Sequence, residues 1–289
     1  MSKLLENVTS ALDKNGDGKF DIQDAIILAM NVPGVHVERR SFLRRELYKN
    51  HTEAEINLAI SKTPMIAGIP QKEIDRIADE VIKSERTAVS GISALLGIPG
   101  GTAMAATIPT DVAQFYGYTL RVIQKLLYLY GFPELDVNEH DGVQLDSETM
   151  NEIIMCMGVM NGVAGASNAI KGMAKALAKG VEKQLLKIAL TKGTLYPLIK
   201  SVLRWFGINL TKKLFAHAVG KAIPIVGSVA GGALTYATFT PCCRRLKTAL
   251  SDTMLSNPKH FSSKEENKYA ESILDGNYIE GEYVDVENE

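Results

Sequence analysis

Apolar positions recur at helical spacing along most of the chain, and proline and glycine set the breaks between the runs. Leu4, Leu5, Val8, Ala11 and Leu12 form one such face, and Ile22, Ala25, Ile26, Ala29 and Met30 form the next. A third run, 38–49, places Phe42, Leu43, Leu47 and Tyr48 among arginines and glutamates. In "TEAEINLAIS" Thr52 is followed three residues later by Glu55, the signature of a helix start closed by a capping box. After Pro64 and Pro70, the residues Ile74, Ile77, Ala78, Val81 and Ile82 trace one face of an amphipathic helix. The pattern predicts an all-α chain, a compact multi-helix bundle with Gly-rich, Pro-broken apolar helices preceded by a helix–loop–helix.

Two long stretches carry no charge. Residues 87–110 read "TAVSGISALLGIPGGTAMAATIPT". The length would span a bilayer, since about 20 apolar residues suffice. Pro99, Gly100 and Gly101 interrupt it, however, and predict two short helices joined by a tight turn. Thr110 is then the expected cap of a helix beginning at Asp111 and closing at Gly131, which suits a helix C-terminus. A polar insert follows, and Asp146 or Ser147 is the expected cap of one long helix through residue 190. Within it Gly158 and Gly162 stand four apart, a spacing that lets backbones approach closely. The second charge-free stretch, residues 222–243, has Pro224 and Pro241 near its two ends and repeats that spacing at Gly227 and Gly231. Both stretches are predicted to pack inside a soluble bundle.

Charge alters this picture locally. The whole chain has 32 Lys+Arg against 33 Asp+Glu, which gives no field for nucleic acid. Yet residues 162–250 hold fourteen lysines and arginines and a single acid, Glu182. From Glu265 onward nine acids face only Lys268, which predicts an acidic, disordered tail over residues 264–289. Lys171, Lys175, Lys179, Lys183 and Lys187 recur every fourth residue and would form one cationic stripe on a continuous helix. Arg244, Arg245 and Lys247 follow the second apolar stretch. Together these eight side chains are the expected membrane-binding face. Three cysteines without ligand spacing, and a start lacking a signal-like apolar region, point to a reducing cytoplasmic compartment.

The most explicit chemistry is "DKNGDGKFDIQD", residues 13–24. A hard cation takes six to eight oxygens at roughly 2.3–2.6 Å, and a twelve-residue loop supplies them from positions 1, 3, 5, 7, 9 and 12. Here those are Asp13, Asn15, Asp17, the carbonyl of Lys19, Asp21 and Asp24, with Gly18 at the sharp turn. The ligand ladder makes calcium the expected ion; aspartate in place of the usual glutamate at position 12 weakens calcium binding and admits magnesium as the alternative. The role of such a loop, regulatory or structural, stays open.

Enzymatic signatures are not among the motifs. "GIPGGTAM" lacks the Lys-Ser/Thr ending of a phosphate-binding loop. The five histidines are scattered, no serine sits in a nucleophile elbow, and Asp111 is accounted for by the positive end of a helix.

"LLGIPGGTAMAATIPTDVAQFYGYTLRVIQKLLYLYGF" (residues 95–132) and "IPIVGSVAGGALTYATFT" (residues 223–240) resemble the EcsC family, in its Gly-rich, Pro-Gly, Pro-x-Asp and Tyr-Gly-Phe succession and its closing apolar glycine motif. The resemblance implies a helical, cytoplasmic bacterial protein connected with membranes and with transport or secretion, and it implies no reaction. The expected organisation is therefore an EF-hand-like or dockerin-like segment (1–34), connecting helices (35–60), an EcsC-like helical domain (61–255) and the acidic tail (264–289). The expected function is non-enzymatic, peripheral association with an anionic membrane surface or a membrane transport or secretion system, with tuning by calcium. The alternative is a soluble protein-interaction adaptor or scaffold with a structural metal loop.

Overall fold

Side-chain caps decide where several helices begin. Asp21 accepts hydrogen bonds from the N–H groups of Gln23 and Asp24 and starts α1, Ile22–Met30. Thr52 and Glu55 close the expected capping box of α3, Glu53–Ser61, while α2, Arg39–Leu47, starts without one. Each such cap satisfies an N–H group that the helix itself leaves unpaired. The computed structural model describes residues 13, 21–96, 104–138, 144–181, 183–207, 227–257 and 259–275. Within these the protein is all-α, as the periodicity predicts. The further helices are α4 (Gln71–Leu96), α5 (Met104–Leu129), α6 (Ser147–Met160), α7 (Ala166–Ala178), α8 (Lys183–Thr191), α9 (residues 196–207), α10 (Gly227–Ser251) and α11 (Lys264–Leu274). The polar insert adds one two-residue antiparallel ladder, Val137 opposite Leu145 and Asn138 opposite Gln144.

Three long helices, α4, α5 and α10, pack on one another and form the body. The α1 and α2 helices lie against α5, so Ile22, Ile26 and Met30 join the same core as the rest. Tyr128, Tyr130 and Phe132 are wholly buried, so "YLYGF" is set in the core. Gly131 ends α5 at φ +90°, with Phe132 N–H donating to Leu127 C=O at 2.9 Å. That left-handed turn costs glycine nothing, and it tucks Phe132 back under the helix.

The interior also holds charge. Glu85 on α4 is 3% exposed and takes two 3.1 Å hydrogen bonds from Arg121 Nε and one of 2.5 Å from Lys125 Nζ, both on α5. Arg39 is buried at the start of α2. Its guanidinium donates to the carbonyls of Ala59 (3.2 Å), Ile60, Lys62 (3.2 Å) and Phe132 (3.1 Å). One arginine thus gathers the unpaired carbonyls at the end of α3 and fastens them to the end of α5.

Several expected boundaries are corrected. Residues 87–96 complete a single helix, α4, that begins at Gln71. Thr110 does not cap a helix at Asp111. Both lie inside α5, beyond Pro109, so the helix-terminus account of Asp111 does not hold. Pro241 likewise lies within α10 and does not close it. The single helix expected from residue 147 to 190 is three helices. Asp146 caps the first as expected, and left-handed Gly162, Gly165 and Gly180 turn the chain between them. Gly158 does serve close packing, since a Cβ there would meet Val202 Cγ2 at 2.7 Å. Among the described residues no helix is long and apolar enough to cross a membrane.

Candidate functional site

The cationic segment is best read where α7, α10 and α11 meet. The expected disorder from Lys264 is corrected here, because residues 264–274 are α11. Ser263 accepts from Glu266 N–H, Glu266 accepts in return from Ser263 N–H, and Ala270 and Ile273 bury one face of the helix. Residues 276–289 lie outside the described part. Acidic composition predicts disorder only while no apolar face is available, and α11 has one.

This helix lies on α7 at Gly172, where a Cβ would stand 2.5 Å from Tyr269 Cβ, 3.1 Å from Glu266 C=O and 3.3 Å from Ala270 N. Backbone contact this close needs a residue without a side chain. Charge follows the fit. Lys171 Nζ donates to Asp252 Oδ2 at 2.6 Å and stands 3.7 Å from Glu266, and Lys175 donates to Asn267 Oδ1. His260, 2% exposed, fits between the two acids, with Nδ1 2.9 Å from Asp252 and Nε2 2.8 Å from Glu266. Hydrogen bonds from Lys171 and then His260 hold the Asp252 carboxyl at about 2, below the ordinary carboxylate range.

The stripe expected as one row is therefore corrected. Lys171 and Lys175 are on α7 with internal partners, and Lys179 is its exposed C-cap. Gly180, at φ +81°, turns the chain before α8 carries Lys183 and Lys187, whose side chains lie outside the described part. Arg245 donates to Met160 C=O at the end of α6 (3.1 Å), and Lys247 pairs with Asp79 at 2.8 Å. Arg244 is exposed. The structure adds exposed cations that no regular spacing marks: Lys192, Arg204 and Lys200, the last standing 5.0 Å over the Tyr196 ring.

Of the metal loop, Asp13, Asp21 and Asp24 are described, and Asn15, Asp17 and Lys19 lie outside the described residues. Asp21 and Asp24, loop positions 9 and 12, form the capping box of α1, with Asp24 Oδ2 accepting from Asp21 N–H at 2.8 Å. The box places a wholly buried carboxylate, Asp24, at the end of the expected loop. Among the described residues no three His, Cys, Asp or Glu side chains converge on a common metal position.

Other reactive groups are set for packing. Burial pushes the Cys156 and Cys243 thiols well up, away from the thiolate that reacts. Burial, then the hydrogen bond to Asp75, does the same for Tyr130. A cavity between Pro64, Ile69, Tyr130 and Leu255 measures about 10 Å³, room for one water molecule. No family model, curated protein or solved structure matches the chain.

Proposed function

We propose that the protein is a non-enzymatic, EcsC-like helical protein that associates peripherally with an anionic membrane surface or with a membrane transport or secretion system. The observation that carries this reading is the charge of residues 162–250, fourteen cations against one acid, with Lys179, Lys192, Lys200, Arg204 and Arg244 exposed along it. Each lysine or arginine near such a surface contributes about 1 kcal/mol, so four acting together supply roughly 4 kcal/mol. Flotation of the full chain with vesicles tests it. Binding is expected with phosphatidylserine-containing vesicles and not with neutral ones. It should weaken as salt shortens the screening length from about 10 Å at 0.1 M to about 3 Å at 1 M. Equal recovery with both vesicle types would overturn the reading, and so would recovery with neither.

A second reading is favoured by the seating of α11. A cationic helix that already accepts Glu266 and Asn267 from an acidic helix suits an adaptor for acidic protein segments, with the membrane uninvolved.

The loop at residues 13–24 is proposed to bind calcium, with magnesium as the alternative. Calorimetry on the full chain is expected to show one site, lost in Asp13→Ala and in Asp17→Ala. Absence of heat with millimolar calcium would end the idea. A melting temperature that hardly moves on binding would assign the loop a local, structural role.

A further inference from the structure

Phe261 is 93% exposed, the most exposed large apolar side chain among the described residues. Single exposed apolar residues are ordinary on protein surfaces, so exposure alone carries little. What sets this one apart is how its neighbours hold it. On one side His260 is pinned between Asp252 and Glu266, and its N–H donates to Asn257 C=O at 3.0 Å. Lys259 N–H donates to Asn257 Oδ1 at 2.9 Å. On the other side Ser263 is fixed as the cap of α11. Both flanks are fastened to the body, and Phe261 stands in solvent between them.

Charge says what would cover it. Between residues 259 and 268 the exposed charged side chains are Lys259, Lys264, Lys268 and Glu265, three cations and one acid. Lys264 and Lys268 stand one helical turn apart on the same side of α11. Two further acids, Asp252 and Glu266, already face Lys171 and His260. An exposed aromatic ring with three exposed lysines within seven residues of it along the chain matches the layered chemistry of an anionic bilayer, apolar below and negative at the surface.

We infer that residues 259–264 form a membrane-contacting tip, in which Phe261 enters the interfacial region of an anionic bilayer while Lys259 and Lys264 engage lipid headgroups. The inference rests on the membrane reading above and gives it a point of contact.

The test uses the full chain and vesicles of phosphatidylcholine with or without phosphatidylserine. Phe261→Ala is expected to weaken partitioning into the anionic vesicles about tenfold, the share of a partly buried phenylalanine. Lys259→Gln and Lys264→Gln are each expected to weaken it about fivefold. Melting temperatures should not move, since none of the three side chains is buried. In a Phe261→Trp, Trp205→Phe chain, the introduced indole is expected to shift to the blue with anionic vesicles and to be quenched by brominated acyl chains. If parent and Phe261→Ala partition equally and that indole is not quenched, the tip is overturned while the cationic-segment reading stands. If the parent binds neither vesicle, both fall. A blue emission before any lipid is added places the ring against protein, as in a second copy, and overturns the tip.

Discussion

Glu85→Ala is expected to lower the stability of the fold by about 3–5 kcal/mol, the usual cost of removing one partner of a buried ion pair. The substitution takes away a carboxylate that is 3% exposed and leaves Lys125, 10% exposed, with its charge uncompensated between α4 and α5. Arg121 would suffer less. It is about one-third exposed and keeps its hydrogen bond to Gly34 C=O at 2.6 Å. Lys125 also stands 5.9 Å over the Phe42 ring, too weak a contact to replace a carboxylate. Urea unfolding followed by circular dichroism measures the loss. Glu85→Gln should cost roughly half as much, because an amide still accepts hydrogen bonds but offers no charge. The pair Glu85→Met with Lys125→Met should recover most of the stability, since well-packed apolar residues often replace a buried ion pair without loss. A Glu85→Ala chain as stable as the parent would show that the triad contributes nothing net.

What the sequence discloses divides along the range of the interactions. The caps at Thr52 and Asp146 and the turn at Gly131 are legible because each is settled within a few residues. The face of Ile74, Ile77, Ala78, Val81 and Ile82 is legible for the same reason, and all five are buried. Glu85 and Arg39 are not. In "VIKSERTA" and "VERRSFLRRE" they look like any solvated charge, and their partners lie 36 to 40 residues away for Glu85 and 20 to 93 for Arg39. The break after α6 has a local signal, the turn dipeptide Asn161-Gly162, which competes there with the four-residue glycine spacing. Gly162 serves the turn, and Gly158 alone serves the packing. The α11 helix shows the same competition. Its acidic composition argues for disorder, yet Ser263 and Glu266 repeat the capping signature of Thr52 and Glu55, with Ala270 and Ile273 at helical spacing. A cap and an apolar face count only if something receives the face. Gly172 makes that reception possible, and its partner surface lies almost a hundred residues away.

The position of α11 on α7 depends on Gly172, so Gly172→Val is expected to detach the acidic helix and leave the body folded. The new Cβ would stand 2.5 Å from Tyr269 Cβ and would press on the α11 backbone at Glu266 and Ala270. The Tyr269 Cβ is fixed by its own backbone, so no change of rotamer removes that contact. The backbone contacts cannot be relieved without moving the helix. Overpacking of this kind costs about 1–3 kcal/mol before the two γ-methyl groups are counted. Against it stands chiefly the burial of Ile273, about 1.5–3 kcal/mol, with a smaller contribution from Ala270. The terms are similar in size, and the added methyl groups tip the balance toward undocking. Hydrogen exchange should then show residues 264–274 losing protection while α4 and α5 keep theirs. Undocking also releases Lys171 from Glu266 and Lys175 from Asn267. If the cationic segment meets anionic lipid, vesicle affinity should rise by roughly tenfold, two cations at about 1 kcal/mol each less what Asp252 still holds. Lost protection with unchanged affinity would separate the helix from lipid binding, and unchanged protection would show that the interface yields to a side chain at residue 172.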